Sequence, residues 1–159
     1  MAAVTADQIR SERATELKAY NTYAVVTSQT VYIGTLVSSA AGSNRVRGGA
    51  ATANYICRGI VEEVINDSGS PISAITGNTG GTVKVRVSWG QEALFSCITA
   101  MYTYTNVNKT ALLKTNNEVE GTAVGTAAVR QSVGMIVDLE STNLVWVKIR
   151  QMGTGAASG

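Results

Sequence analysis

The sequence predicts an all-β protein of two related small β-barrel or sandwich-like units packed as one body, with a short N-terminal helix or extended arm. Three observations carry that expectation. Short runs rich in β-branched and aromatic residues recur from Tyr20 onward, bounded by Gly, Ser and Asn clusters. The run Thr82 to Ser88 alternates strictly, with Val83, Val85 and Val87 on one face and Lys84 and Arg86 on the other. Four features of the first half return in the same order in the second.

The chain has 159 residues, of which 45% are hydrophobic and 15% charged. The charged share lies below the roughly 25% usual in soluble domains. Disorder needs the opposite balance, so the expectation is a folded chain whose neutral surface is covered by partners. Histidine is absent. Ser-His-Asp, Cys-His and His-metal chemistry go with it, and no cofactor is expected. The net charge of +2, without a basic block, gives no reason to expect a direct nucleic-acid partner. No apolar run approaches the ~18 residues needed to span a bilayer, so no membrane partner is expected. The polar N-terminus, with both signs of charge, is unlike a secretory signal. Cys57 and Cys97 are too far apart for a CxxC pattern. They read as two buried free thiols, with a single disulfide as the alternative.

Residues 1–19 form the arm or short helix. Thr5 is placed to cap a helix with Gln8 closing the box, and Glu12 and Glu16 flank Arg13 at helical spacing. The apolar stripe is thin, holding Ile9, Leu17 and the stem of Arg13, which cannot hold a helix strongly onto a core. The segment reads either as a frayed leader or as an arm that orders on a partner.

Residues 20–98 form the first β unit. Tyr23 to Val26 and Thr30 to Ile33 read as strands, with Leu36 and Val37 following Gly34. Ser38 to Gly49 reads as a loop. Tyr55 to Ile65 reads as a strand with Gly59 at a kink or close approach. Asn66 to Gly81 is a turn-rich loop with the one proline, Pro71. Residues 99–150 form the second unit, and residues 151–159 a flexible tail. Ala111 to Lys114 is set against Thr35 to Ser38. A Gly/Ala/Thr stretch follows in each half, Arg47 to Ala53 and Glu120 to Ala128. Val133 to Ile136 is set against Arg58 to Val61, and Val145 to Ile149 against Val83 to Val87. A unit of this size is marginal alone, so the two are expected to pack together.

Candidate chemistry is sparse. Glu62 and Glu63 would point to opposite faces of a strand and could not share a proton. Asp138 and Glu140 would share a face without a third ligand. Gly77 to Gly81 and Gly153 to Gly155 lack the Lys-Ser/Thr and the helix that a phosphate cradle needs. Asn66-Asp67-Ser68 and Asn108-Lys109-Thr110 are chance glycosylation triplets without a secretory route. Lys84 and Arg86, with Lys148 and Arg150 beside Trp146, could touch nucleic acid or an acidic protein, but read first as charges that block edge pairing. Tyr102 and Tyr104 suit either a subunit interface or cross-strand packing.

Two stretches carry a family resemblance: Arg58-Gly59-Ile60-Val61-Glu62, and Gly80-Gly81-Thr82-Val83-Lys84-Val85-Arg86-Val87. A second set is Val133-Gly134-Met135-Ile136-Val137 and Val145-Trp146-Val147-Lys148-Ile149, without the Gly-Gly-Thr lead-in. Over about residues 30–150 the chain resembles the decoration, or capsid cement, proteins of tailed-bacteriophage heads. The resemblance implies a non-enzymatic virion protein on the capsid exterior, made in the host cytoplasm. It also implies a homotrimer that bridges subunits of the major capsid protein and stabilises the expanded lattice by binding only that state. The arm would order on binding, with Ile9 and Leu17 as anchors and Arg10 and Arg13 setting register. The competing expectations are another virion part (tail tube, head–tail joining or baseplate protein) and a glycan-binding β module on a fibre.

Overall fold

A computed structural model describes residues 3–52, 54–72, 75–97, 104–121 and 131–150. Eleven strands organise them: β1 (Glu12–Arg13), β2 (Ala19–Val25), β3 (Leu36–Ala40), β4 (Arg45–Gly48), β5 (Tyr55–Ile65), β6 (Lys84–Trp89), β7 (Glu92–Cys97), β8 (Thr110–Leu113), β9 (Glu118–Gly121), β10 (Ser132–Ser141) and β11 (Leu144–Ile149). β2-β4-β3-β5-β6 closes into a barrel. The remaining strands follow the order β1-β7-β11-β10-β8-β9, and a further β7–β9 pairing closes β7-β11-β10-β8-β9 into a ring with β1 alongside β7. The fold is therefore all-β, with two small closed units. Glu92–Cys97, placed on the first-unit side of a division at 98, pairs within the second unit.

The two rings match strand for strand. β2 runs parallel to β4, as β7 does to β9; every other ring contact is antiparallel. Their registers agree around the whole circuit. Tyr23 opposite Val85 matches Phe95 opposite Val145. Ala24 beside Arg45 matches Ser96 beside Glu118. Val37 faces Gly48 and Gly59, as Ala111 faces Gly121 and Gly134. Both units carry a register shift at the same two places: beside Gly59 or Gly134, and between Val61 and Glu63 or Ile136 and Asp138.

The two glycines are equivalent for a steric reason. Gly59 has φ +127° and Gly134 φ +155°. A Cβ on Gly59 would stand 2.2 Å from the carbonyl oxygen of Ser88, and one on Gly134 would stand 1.8 Å from that of Lys148. Ser88 and Lys148 are themselves equivalent. Only glycine lets these strands approach so closely.

The internal alignment read from the sequence holds at this glycine and slips on two other strands. Val145 corresponds to Val85 rather than Val83, and Ala111 to Val37 rather than Thr35. Each slip spans two residues, which leaves every side chain on its original face. Arg47 and Glu120, which open the two Gly/Ala/Thr stretches, do correspond.

Val83, Val85 and Val87 are buried while Arg86 is exposed, as the alternation predicts. They join Val25, Val31, Val37, Val46, Val61 and Val64 in the first barrel's interior. Phe95, Leu113, Val119, Val133, Ile136, Val145, Val147 and Ile149 form the second interior. Leu36, Cys57 and Ile60 belong to that second cluster although they sit on first-barrel strands. β3 and β5 are thus apolar on both faces, one lining their own barrel and one docking on the neighbour. Backbone bonds stitch the same junction: Leu36 N donates to Asn116 O at 2.8 Å, and Ala50 bridges to Thr115. Both cysteines are free and buried here.

Three local expectations are revised. Ser38 to Gly49 holds β3, a short turn and β4 rather than a loop, because the serines at 38 and 39 bury themselves in the ladder. Thr30 to Ile33 is no strand; it makes one bridge, Thr30 to Thr76, and then turns at Gly34, whose φ is +78°. A Cβ at Gly34 would overlap the carbonyl oxygen of Gln8. No helix forms over residues 5–18. The segment is extended, with one 3₁₀ turn at Thr15–Leu17 entered through Ala14 at φ 52°. The tail at 151–159 lies outside the described residues.

Candidate functional site: the N-terminal strap

A polar segment with a thin apolar stripe has little reason to coil, and its backbone groups find partners on the two barrels instead. Asn116 exchanges two hydrogen bonds with Val4, each 2.9 Å. Gln8 N donates to Ile33 O at 2.8 Å, and the Asp7 carboxylate accepts from Ile33 N at 2.8 Å. Leu94 N donates to Ser11 O, and β1 pairs with β7 at Glu12–Ala93 and Arg13–Glu92. The chain before residue 14 is a strap that crosses from one barrel to the other.

Arg10 is its central fastening. The guanidinium donates to Gly34 O on the first barrel, and to Leu94 O and Asn117 Oδ1 on the second, at 2.6–3.0 Å. Its Cζ lies 4.3 Å from the centre of the Phe95 ring. Burial lowers its pKa to about 10, against a smaller opposing pull from Glu12, so it stays charged at neutral pH. Arg13 stacks 4.3 Å over Trp146 and pairs with Glu92 and Asp138. Lys18 ends the strap between Glu12 and Glu62, at 2.8 and 2.9 Å. Burial disfavours its charge, but those two carboxylates outweigh it and hold the pKa above the usual lysine value.

The four residues expected to contact a capsid thus divide in two. Arg10 and Arg13 are engaged within the chain. Ile9 is fully exposed, at 106% of its reference surface, and Leu17 is half exposed. Gln8 and Arg10 are pinned on either side of Ile9, so the exposed side chain stands on a fixed backbone. Tyr20 and Tyr104 are the other large exposed hydrophobics among the described residues. Tyr102 lies outside them.

The remaining candidates are structural. Glu62 accepts from Ser88 Oγ and pairs with Lys18, while Glu63 pairs with Arg86 at 2.6 Å. Asp138 meets Arg13, and Glu140 accepts from the Trp146 indole at 2.8 Å. Lys84 pairs with Asp67. The Asn66 side chain accepts from the backbone N–H of Ser68 and Ser70, which closes a turn. Gly77 packs against the carbonyls of Val25 and Val26. Among the described residues no group of three metal-ligating side chains comes together, and no helix is long and apolar enough to cross a membrane. Sequence reasoning missed the strap's docking because its contacts join residues far apart in the chain. The one local signal was the run Ile33-Gly34, a glycine where the strap arrives.

No family model, curated protein or solved structure matches this chain.

Proposed function

We propose that this chain is a structural virion protein that decorates the exterior of an assembled phage capsid and stabilises it. In this reading it binds the major capsid protein, as a homotrimer, without catalysing a reaction. The observation that carries the proposal is Ile9: an apolar side chain held in water on a strap fastened to both barrels. Exposing it costs about 2 kcal/mol relative to burial, which a partner recovers on contact. A preorganised anchor loses little entropy on binding. The two-barrel body supports the same reading, since a shape-based cement needs a rigid block.

The test is protein stoichiometry in purified particles of the source virus. A ratio near one to one with the major capsid protein is expected, and Ile9→Asp should lower particle occupancy at least tenfold while the thermal midpoint stays unchanged. A few copies per particle would transfer the protein to a tail or joining role. Absence from particles would overturn the virion reading.

A further inference from the structure

Among the described residues, the second barrel has a strand, β1, with no counterpart on the first. β1 lies along β7, where Ser11 O accepts from Leu94 N and the guanidinium of Arg10 donates to Leu94 O. The register of the two rings makes Glu92, Ala93 and Leu94 the equivalents of Tyr20, Asn21 and Thr22 on β2. Odd residues of β2 bond toward β6, as Val25 N does to Val83 O. Tyr20 and Thr22 therefore turn their backbone groups the other way. β4 reaches β2 only at Ala24 and Val25. Among the described residues no hydrogen bond engages the outward N–H and C=O groups of Tyr20 or Thr22, and both side chains are exposed.

We propose that the outward edge of β2 at Tyr20 and Thr22 is a strand-addition site for an extended acidic segment of a partner protein. The geometry is the one the chain already uses at β7, and main-chain hydrogen bonds supply the affinity. Charge identifies the occupant. The same edge of β2 continues into its pairing with β4, which carries Arg45 opposite Ala24 and Arg47 two positions further along. Among the described residues neither arginine meets a carboxylate. Arg45 donates to Thr27 Oγ1 and the carbonyls of Asn78 and Thr79, and Arg47 stacks 5.4 Å over Tyr55. Val46 between them points into the core, so both lie on the outer face. A basic strap from a second copy would be repelled here; carboxylates at alternate positions of an extended segment would be matched. The inference stands independently of the virion reading.

The experiment titrates the full ¹⁵N-labelled chain with a capped eight-residue peptide of alternating valine and glutamate. Versions with glutamine or lysine in place of glutamate serve as controls. Amide shifts and slowed hydrogen exchange are expected at Tyr20 and Thr22. The glutamine peptide should bind at least tenfold more weakly, and the lysine peptide not at all. The double variant Arg45→Glu with Arg47→Glu should invert that order. Thr22→Pro should abolish binding with the fold intact, because that N–H faces away from β6; if it fails to fold, the charge-inverted variant still decides. Equal binding of all three peptides, shifts at other strands, or no response at millimolar peptide would overturn the proposal. So would exchange protection at Thr22 that grows with protein concentration alone, since a second copy would then hold the edge.

Discussion

The two barrels share a backbone plan and differ in almost everything displayed on it. Gly59 and Gly134 occupy one position, both rings shift register beside it, and both shift again after Val61 or Ile136. Yet Arg45 and Arg47 stand where Glu118 and Glu120 stand. Leu36 and Ile60, which dock the first barrel on the second, have Thr110 and Met135 as counterparts. The Phe95 ring is covered by Arg10 from the strap, whereas its counterpart Tyr23 is covered at 5.6 Å by Arg58 of its own barrel. Sterics of close strands constrain the shared positions, and the outer faces are constrained only by what covers them.

The largest effect is expected at the glycine pair. Gly59→Ala and Gly134→Ala should each cost at least about 3 kcal/mol in urea unfolding, since a Cβ would meet a backbone carbonyl at a positive φ. A cost at only one site would deny their equivalence. Next comes the junction. Leu36→Ala removes a fully buried side chain and should cost about 3 kcal/mol, while Thr110→Ala at the matching position should stay within about 0.5 kcal/mol.

Arg10→Ala should cost about 2 kcal/mol, because it strips donors from the carbonyls of Gly34 and Leu94. Hydrogen exchange at Leu94 should rise with it. Thiol titration gives a smaller and pH-dependent contrast. Burial pushes the Cys57 thiol up to about 12, and its counterpart in the second barrel is Ser132. The folded chain keeps that proton after the unfolded chain has lost it. Stability is thus full below pH ~8.5, the ordinary thiol pKa, and falls as pH rises toward 12, by up to about 1.4 kcal/mol per pH unit. Cys57→Ser should remove that component of the alkaline loss in a comparison of denaturation midpoints. The smallest effect is expected at the surface: Arg13→Ala and Arg86→Ala should each cost under about 1 kcal/mol, less still in high salt, because both pairs are partly exposed.

Much of the architecture was legible. Val83, Val85 and Val87 declare a half-buried strand, Tyr55 to Ile65 is a strand with the bounds its residues suggest, and the two halves align at Gly59 with Gly134 and at Arg47 with Glu120. The candidate site was legible only in part. Ile9 and Leu17 are exposed, while Arg10 and Arg13 hold partners within the chain and fasten the strap. The mixed charges of residues 5–18 fit a helix locally, and apart from the glycine at 34 nothing local announces that Ile33, Leu94 and Asn116 offer better partners.

The β class, the alternating faces and a close approach at Gly59 can be read from the residues alone, because they follow from side-chain period and backbone sterics at single strands. The register between copies, the placing of β7 in the second unit and the path of the strap depend on long-range pairing. A period-two pattern is unchanged by a slip of two residues, and the strap's bonds to the two barrels join residues 24 to 125 positions apart. Only the closed rings bring such residues together.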